Sequence, residues 1–150
     1  MTKEVRDPVR EFLESYWETR REVDRLDRRV EELTCQCESI TSKYGVTPRG
    51  GSGRSSVSVW DALIEAKDRV EAKLVESLKL EAAIEDFIDA LDNPLHRELL
   101  RYRYLEGLSW EDVGEHINRN PDYARRELHG AALQAARKKW REIENFENNC

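Results

Sequence analysis

LLRYRYLEGLSWEDVGEHINRNPDYARRELHGAALQAA, residues 99–136, decides the fold because it punctuates its own helices. The preceding turn joins its start, so residues 95–107 read as a short helix. Leu95, Leu99, Leu100 and Tyr102 or Tyr104 form its apolar side, and Gly107 stops it. Ser109 is placed to cap the next helix, and Glu111 and Asp112 put acids in its first turn. Within WEDVGEHI, Trp110, Val113 and Ile117 face a core, and Gly114, lacking a Cβ, lets another helix approach. Asn118 tolerates a left-handed turn. Asn120 then caps a new helix whose first position, Pro121, needs no N–H. Ala124, Leu128, Ala131, Ala132 and Ala135 recur at helical spacing as its buried side. Two short helices joined by a tight turn, the second alanine-lined within and basic without, predict a helix-turn-helix.

Upstream, the pattern changes to heptads. Val9, Tyr16, Val23, Val30 and Cys37 fall seven apart, with Phe12, Thr19, Leu26, Leu33 and Ile40 as the second row. Residues 57–92 supply a partner: Leu63, Val70, Ile84 and Leu91 on one row, Trp60, Leu74 and Ile88 beside it. Asp92-Asn93-Pro94 ends that helix. The stretch between them holds four of the seven glycines and reads as a flexible basic loop over 41–57. Gly45 and Gly50 have phosphate-loop spacing, but Gly51 stands where such a loop needs Lys. The expected fold is therefore all-α: a long antiparallel helical hairpin, or coiled coil, over 1–93, a helix-turn-helix over 94–141, and a tail over 142–150. The hairpin closes within one chain or between chains.

Composition narrows the function classes. The 150 residues are 37% charged with a mean hydropathy of −0.81. No apolar run of membrane-spanning length occurs, and MTKEVRDPVREF carries no apolar leader core, so a cytoplasmic location with no membrane partner is expected. Three cysteines make no disulfide framework. The net charge of −6 hides a local excess: residues 119–141 hold seven bases against Asp122 and Glu127. A basic segment on an acidic chain is a candidate polyanion site.

The stretch quoted first resembles region four of bacterial sigma factors. With the long N-terminal helix, the Gly/Ser-rich middle and LHGAAL, the chain resembles the RinA- and ArpU-type transcriptional regulators of phages and integrative elements of Gram-positive bacteria, and a related uncharacterised phage family. The resemblance implies a DNA-binding transcriptional regulator with double-stranded DNA and RNA polymerase as partners. Arg119 departs from the pattern, standing at a turn position that is usually apolar. One extra residue also lies between Asn118 and Leu128, which leaves open which side chains of the second helix point outward.

A straight helix centred on Leu128, turning about 100° per residue, places Arg126 about 160° and Tyr123 about 140° from the core. These are the expected groove-facing residues, with Asp122 and His129 next. Arg125, near the core edge, is expected to reach a phosphate, as are Arg119, Asn120, Arg137, Lys138 and Lys139. Leu133 and Trp140 lie off the expected buried side and need a cover, either the hairpin or a second subunit. A homodimer on a two-fold operator is expected, since one such unit makes few phosphate contacts. The histidines and cysteines have no metal-ligand spacing and no carboxylate pair is forced into an apolar pocket, so no enzyme, cofactor or metal is expected. Two alternatives share these features: a DNA-packaging protein like a terminase small subunit, and a sigma-like module that touches RNA polymerase.

Overall fold

A computed structural model describes residues 6–44 and 53–149. All regular structure among them is helical: α1 (Pro8–Tyr44), α2 (Gly53–Asp89), α3 (Pro94–Leu100), α4 (Trp110–Ile117), α5 (Pro121–Tyr123) and α6 (His129–Asn148). A π turn, Arg101–Leu105, extends α3, and a second, Ala124–Leu128, joins α5 to α6. Helix occupies 41–44 and 53–57 of the expected loop. The rest of that loop, 45–52, with its phosphate-loop glycines, lies outside the described residues. None of the described helices is long and apolar enough to cross a membrane.

Contacts divide the chain into two compact units, Met1–Glu18 with Leu78–Cys150, and Thr19–Ser77. This differs from a boundary at 93. In the first unit, Val9, Leu13 and Tyr16 of α1 and Ile84, Phe87 and Ile88 of α2 belong to one buried cluster with Leu99, Leu100, Val113, Ile117, Leu128 and Leu133. The short C-terminal helices thus bury their apolar sides against the ends of the two long ones. Residues 142–148 are helical too, as the end of α6.

In the second unit, Leu33 and Cys37 of α1 pack with Leu63 and Ala66 of α2, and Glu22 lies 3.5 Å from Lys73. Val23 and Thr19 continue the buried heptad of α1. Of the expected first row, Leu63, Ile84 and Leu91 are buried and Val70 is half-buried; the second row departs. Leu63 and Ser77 are buried, but their companion is Ala66, three residues after Leu63, not Trp60, three before. Trp60 and Leu74 stay exposed, and of that row only Ile88 is buried. Ala66 clusters with Leu33 and Cys37 of α1, and the Ser77 hydroxyl donates to the Leu74 carbonyl at 2.8 Å, which offsets the cost of burying it.

Candidate nucleic-acid interface

The link between α4 and α5 is built from local hydrogen bonds. Ser109 accepts the Asp112 N–H at 3.2 Å and caps α4. Asn118 ends α4 in the left-handed region, at φ 57° and ψ 50°. The Arg119 N–H donates to the Gly114 carbonyl at 2.9 Å, and Asn120 accepts the N–H groups of Asp122 and Tyr123 at 2.9 and 3.3 Å. A Cβ on Gly114 would lie 2.8 Å from the Arg119 carbonyl oxygen and 3.0 Å from the Pro121 ring, so the turn admits only glycine as it stands. Sequence reasoning located each of these caps.

The second helix does not follow the straight-helix reading. Tyr123, Ala124, Leu128 and His129 all keep right-handed helical backbone, yet the His129 N–H donates to the Ala124 carbonyl, five residues back. A π turn is how a helix absorbs one additional residue. Beyond it, the buried residues are Ala132, Leu133 and Ala136, while Ala131 is exposed and Ala135 half-buried. The underwound turn rotates everything after it by about one helical position, which brings Leu133 inward. Trp140 also finds its cover here. Its ring lies 5.4 Å from Phe12 and 5.7 Å from Phe87, so no second subunit is needed to shield it.

The expected site residues separate into two groups. Tyr123, Arg125, Arg126, Arg119 and Lys138 are exposed, and Tyr123 keeps 48% of its surface. Asp122 is exposed as well and lies 3.4 Å from Arg125, which reduces the local positive charge. Arg119 donates to the Asn118 carbonyl at 3.0 Å. Arg126 and Lys138 form no ion pair among the described residues.

Four other expected contacts are committed to the fold. Asn120 spends its side-chain oxygen on the cap. Lys139 is half-buried beside Glu142, at 3.6 Å. Arg137 binds Asp7 through Nε and Nη2, at 2.8 and 2.6 Å, and Asp7 also accepts the Val9 N–H at the start of α1. Burial pushes the Asp7 carboxyl up, but the Arg137 hydrogen bond and charge, with the Val9 and Arg10 N–H groups, outweigh it and hold the group below its ordinary value.

His129 sits half-buried at the core edge. Its Nε2 shares a 2.7 Å hydrogen bond with the Tyr104 hydroxyl, and its ring packs 4.8 Å from Trp110. Burial first, then the Arg10 and Arg103 guanidinium groups, push its pKa down to about 4. It ties the first π turn to the start of α6. Arg103, from the first π turn, stacks over Trp110 at 4.7 Å and donates to the Leu108 carbonyl at 2.8 Å.

Sequence reasoning passed over Arg141. It is exposed, three residues beyond Lys138 on α6, and lines a cavity of about 440 Å³ with Trp140, Arg137 and Asp7. The i, i+3 spacing from Lys138 was the available signal. Among the described residues, no group of three or more His, Cys, Asp or Glu side chains is arranged to hold a metal ion.

No curated protein and no solved structure matches the chain. One family model does, over residues 39–130, which takes in α2 and all of the α4–α5 link, and on that match this chain belongs to the family described as Protein of unknown function (DUF1492).

Proposed function

We propose that this chain is a double-stranded-DNA-binding regulator of phage or mobile-element transcription, acting through a sigma region 4-like helix-turn-helix made of α4 and α5–α6. In this reading α1 and α2 form an antiparallel helical hairpin, and the sequence resemblance to RinA- and ArpU-type regulators carries over to the family member described here. The observation that carries the reading is the glycine-closed link between α4 and α5, with Tyr123, Arg125 and Arg126 exposed on the helix that follows it.

Arg126, which has no ion-pair partner among the described residues, is the foremost base contact, since a guanidinium reads guanine bidentately, and Tyr123 flanks it. Arg119, Arg125 and Lys138 supply phosphate contacts, which position the helix without reading sequence. The π turn supports the assignment, because such turns concentrate at functional sites. It also separates the groove-facing first turns from the buried run that follows.

The test starts from duplexes selected out of a random pool by the full chain. In anisotropy titrations at several salt concentrations, Arg126→Ala should lose about 1–3 kcal/mol on the selected duplex and lower the selected-to-scrambled ratio. Lys138→Ala should weaken both duplexes alike and reduce the salt slope by about one. A chain that enriches no duplex, with binding indifferent to salt, overturns the reading in favour of a protein-contacting module such as one that meets RNA polymerase.

A further inference from the structure

The outer side of α2 carries a second stripe that the packing against α1 leaves uncovered. Trp60, Ile64 and Leu74 are 46%, 58% and 38% exposed, and Val75 beside them is 45% exposed. At about 100° per residue, positions 60, 64, 67, 71 and 74 fall on one line, roughly 90° around the helix from the Leu63–Ala66–Ser77 row. Their spacings are four, three, four and three, the rhythm of a helix-pairing seam. Lys67 and Glu71 occupy its middle, both exposed.

Some neighbouring charges on α2 are paired. Arg69 pairs with Glu65 at 2.8 Å, and Lys73 with Glu76 at 3.0 Å and Glu22 at 3.5 Å. Among the described residues Lys67 and Glu71 form no ion pair, although they lie four residues apart on one helix. Two charges of opposite sign, unpaired within an apolar stripe, are what a self-complementary seam requires.

We propose that two copies of this chain pair through this face of α2, antiparallel about a two-fold axis near residue 69, with Lys67 of each copy opposite Glu71 of the other and Ile64 opposite Leu74. The arithmetic of the stripe selects this register. Positions 64 and 74, and 67 and 71, have the same midpoint, so one two-fold axis superimposes apolar on apolar and base on acid. A parallel pairing would set Lys67 against Lys67 and Glu71 against Glu71, which like-charge repulsion disfavours. Isologous contacts of this kind are the commonest route to a homodimer. Asp68 falls beside its own copy across the axis, the one like-charge contact on this rim. The pairing does not rest on the DNA reading, since it uses none of the residues from Arg119 onward.

Sedimentation of the full chain across a micromolar concentration series tests it. The wild type should dimerise, and Lys67→Glu and Glu71→Lys should each raise the dissociation constant at least about tenfold, because two attractive pairs become two repulsive ones. Combining both should restore it to within about threefold of wild type. Asp68→Asn should tighten the pair about twofold by removing the rim repulsion. Circular dichroism should show unchanged helix content in every variant, since these side chains are exposed. A wild type monomeric at every concentration overturns the proposal. So does a dimer indifferent to the single reversals, a double reversal that fails to restore pairing, or a weaker pair with Asp68→Asn. Duplex binding measured on the Glu71→Lys chain separates this result from the DNA reading: a monomeric variant that still enriches duplexes leaves that reading intact.

Discussion

The two units bury apolar surface in opposite ways. Met1–Glu18 with Leu78–Cys150 encloses a cluster drawn from α1, α2, α3, α4, α6 and both π turns, in which Leu13, Ile84, Ile88, Leu99, Leu100 and Val113 are fully buried. Thr19–Ser77 is two helices with one line of contact, and its cluster is Leu33, Cys37, Leu63 and Ala66. A side chain between two helices touches neighbours on one side, whereas one in a multi-helix core is surrounded. The same leucine therefore stabilises the two units unequally. Stability is concentrated where α1 begins and α2 ends, and the candidate site residues are mounted on that better-buried unit.

Truncation should sharpen this contrast most. Leu13→Ala leaves a cavity that its close-packed surroundings cannot fill, and we expect a loss of about 4 kcal/mol in denaturant unfolding. Leu33→Ala, on the two-helix seam, should lose about 2 kcal/mol. Equal losses would break the comparison.

Gly107 supplies the next effect. It sits at φ +66°, and a Cβ there would lie 2.6 Å from Cζ2 of Trp17, on α1. Gly107→Ala should cost about 3 kcal/mol, from left-handed strain plus displacement of the indole. A melting temperature equal to wild type would mean that α1 does not buttress the segment before α4.

Acid should act on the same unit. His129 ionises near 4 in the folded chain and near the ordinary 6.5 when unfolded. Above 6.5 both states are neutral and its contribution is fully present. As pH falls from 6.5 towards 4, only the unfolded state takes up the proton, and stability is lost. Discounting for partial solvent screening, the loss should reach about 2 kcal/mol. His96, also lowered by burial, acts in the same direction. Asp7, held low, adds its loss below its ordinary value of 3.8. Unfolding measured from pH 7 to 4 should show this slope in wild type and a shallower one in His129→Phe; parallel slopes would exclude the Tyr104–His129 contact as its source.

Gly130 gives the smallest effect, with the opposite sign. Nothing lies within 4 Å of a Cβ built there, on the exposed side of α6. Gly130→Ala should raise stability by about 0.5–1 kcal/mol through helix propensity alone. A loss would place an unseen partner against α6.

The sequence by itself determined the local events: the heptad of α1, the caps Ser109 and Asn120, the left-handed Asn118 and the close approach at Gly114. Each depends on a few consecutive residues, whose backbone preferences and hydrogen-bonding groups act over one turn. Three matters were decided only in the folded molecule. Hydropathy favoured Trp60 and Leu74 for the second row of α2, but Ala66 is the residue buried beside Leu33 and Cys37, because which side of α2 is covered depends on both helices together. One extra residue after Asn118 was visible, yet its absorption as a π turn depends on which side chains the core accepts, and Leu133 was preferred to Ala131. The fate of the basic residues was decided by partners distant in sequence: Asp7 takes Arg137 across 130 positions, and Tyr104 takes His129. A charge count records that such groups exist, but only tertiary packing determines which remain free to meet a ligand.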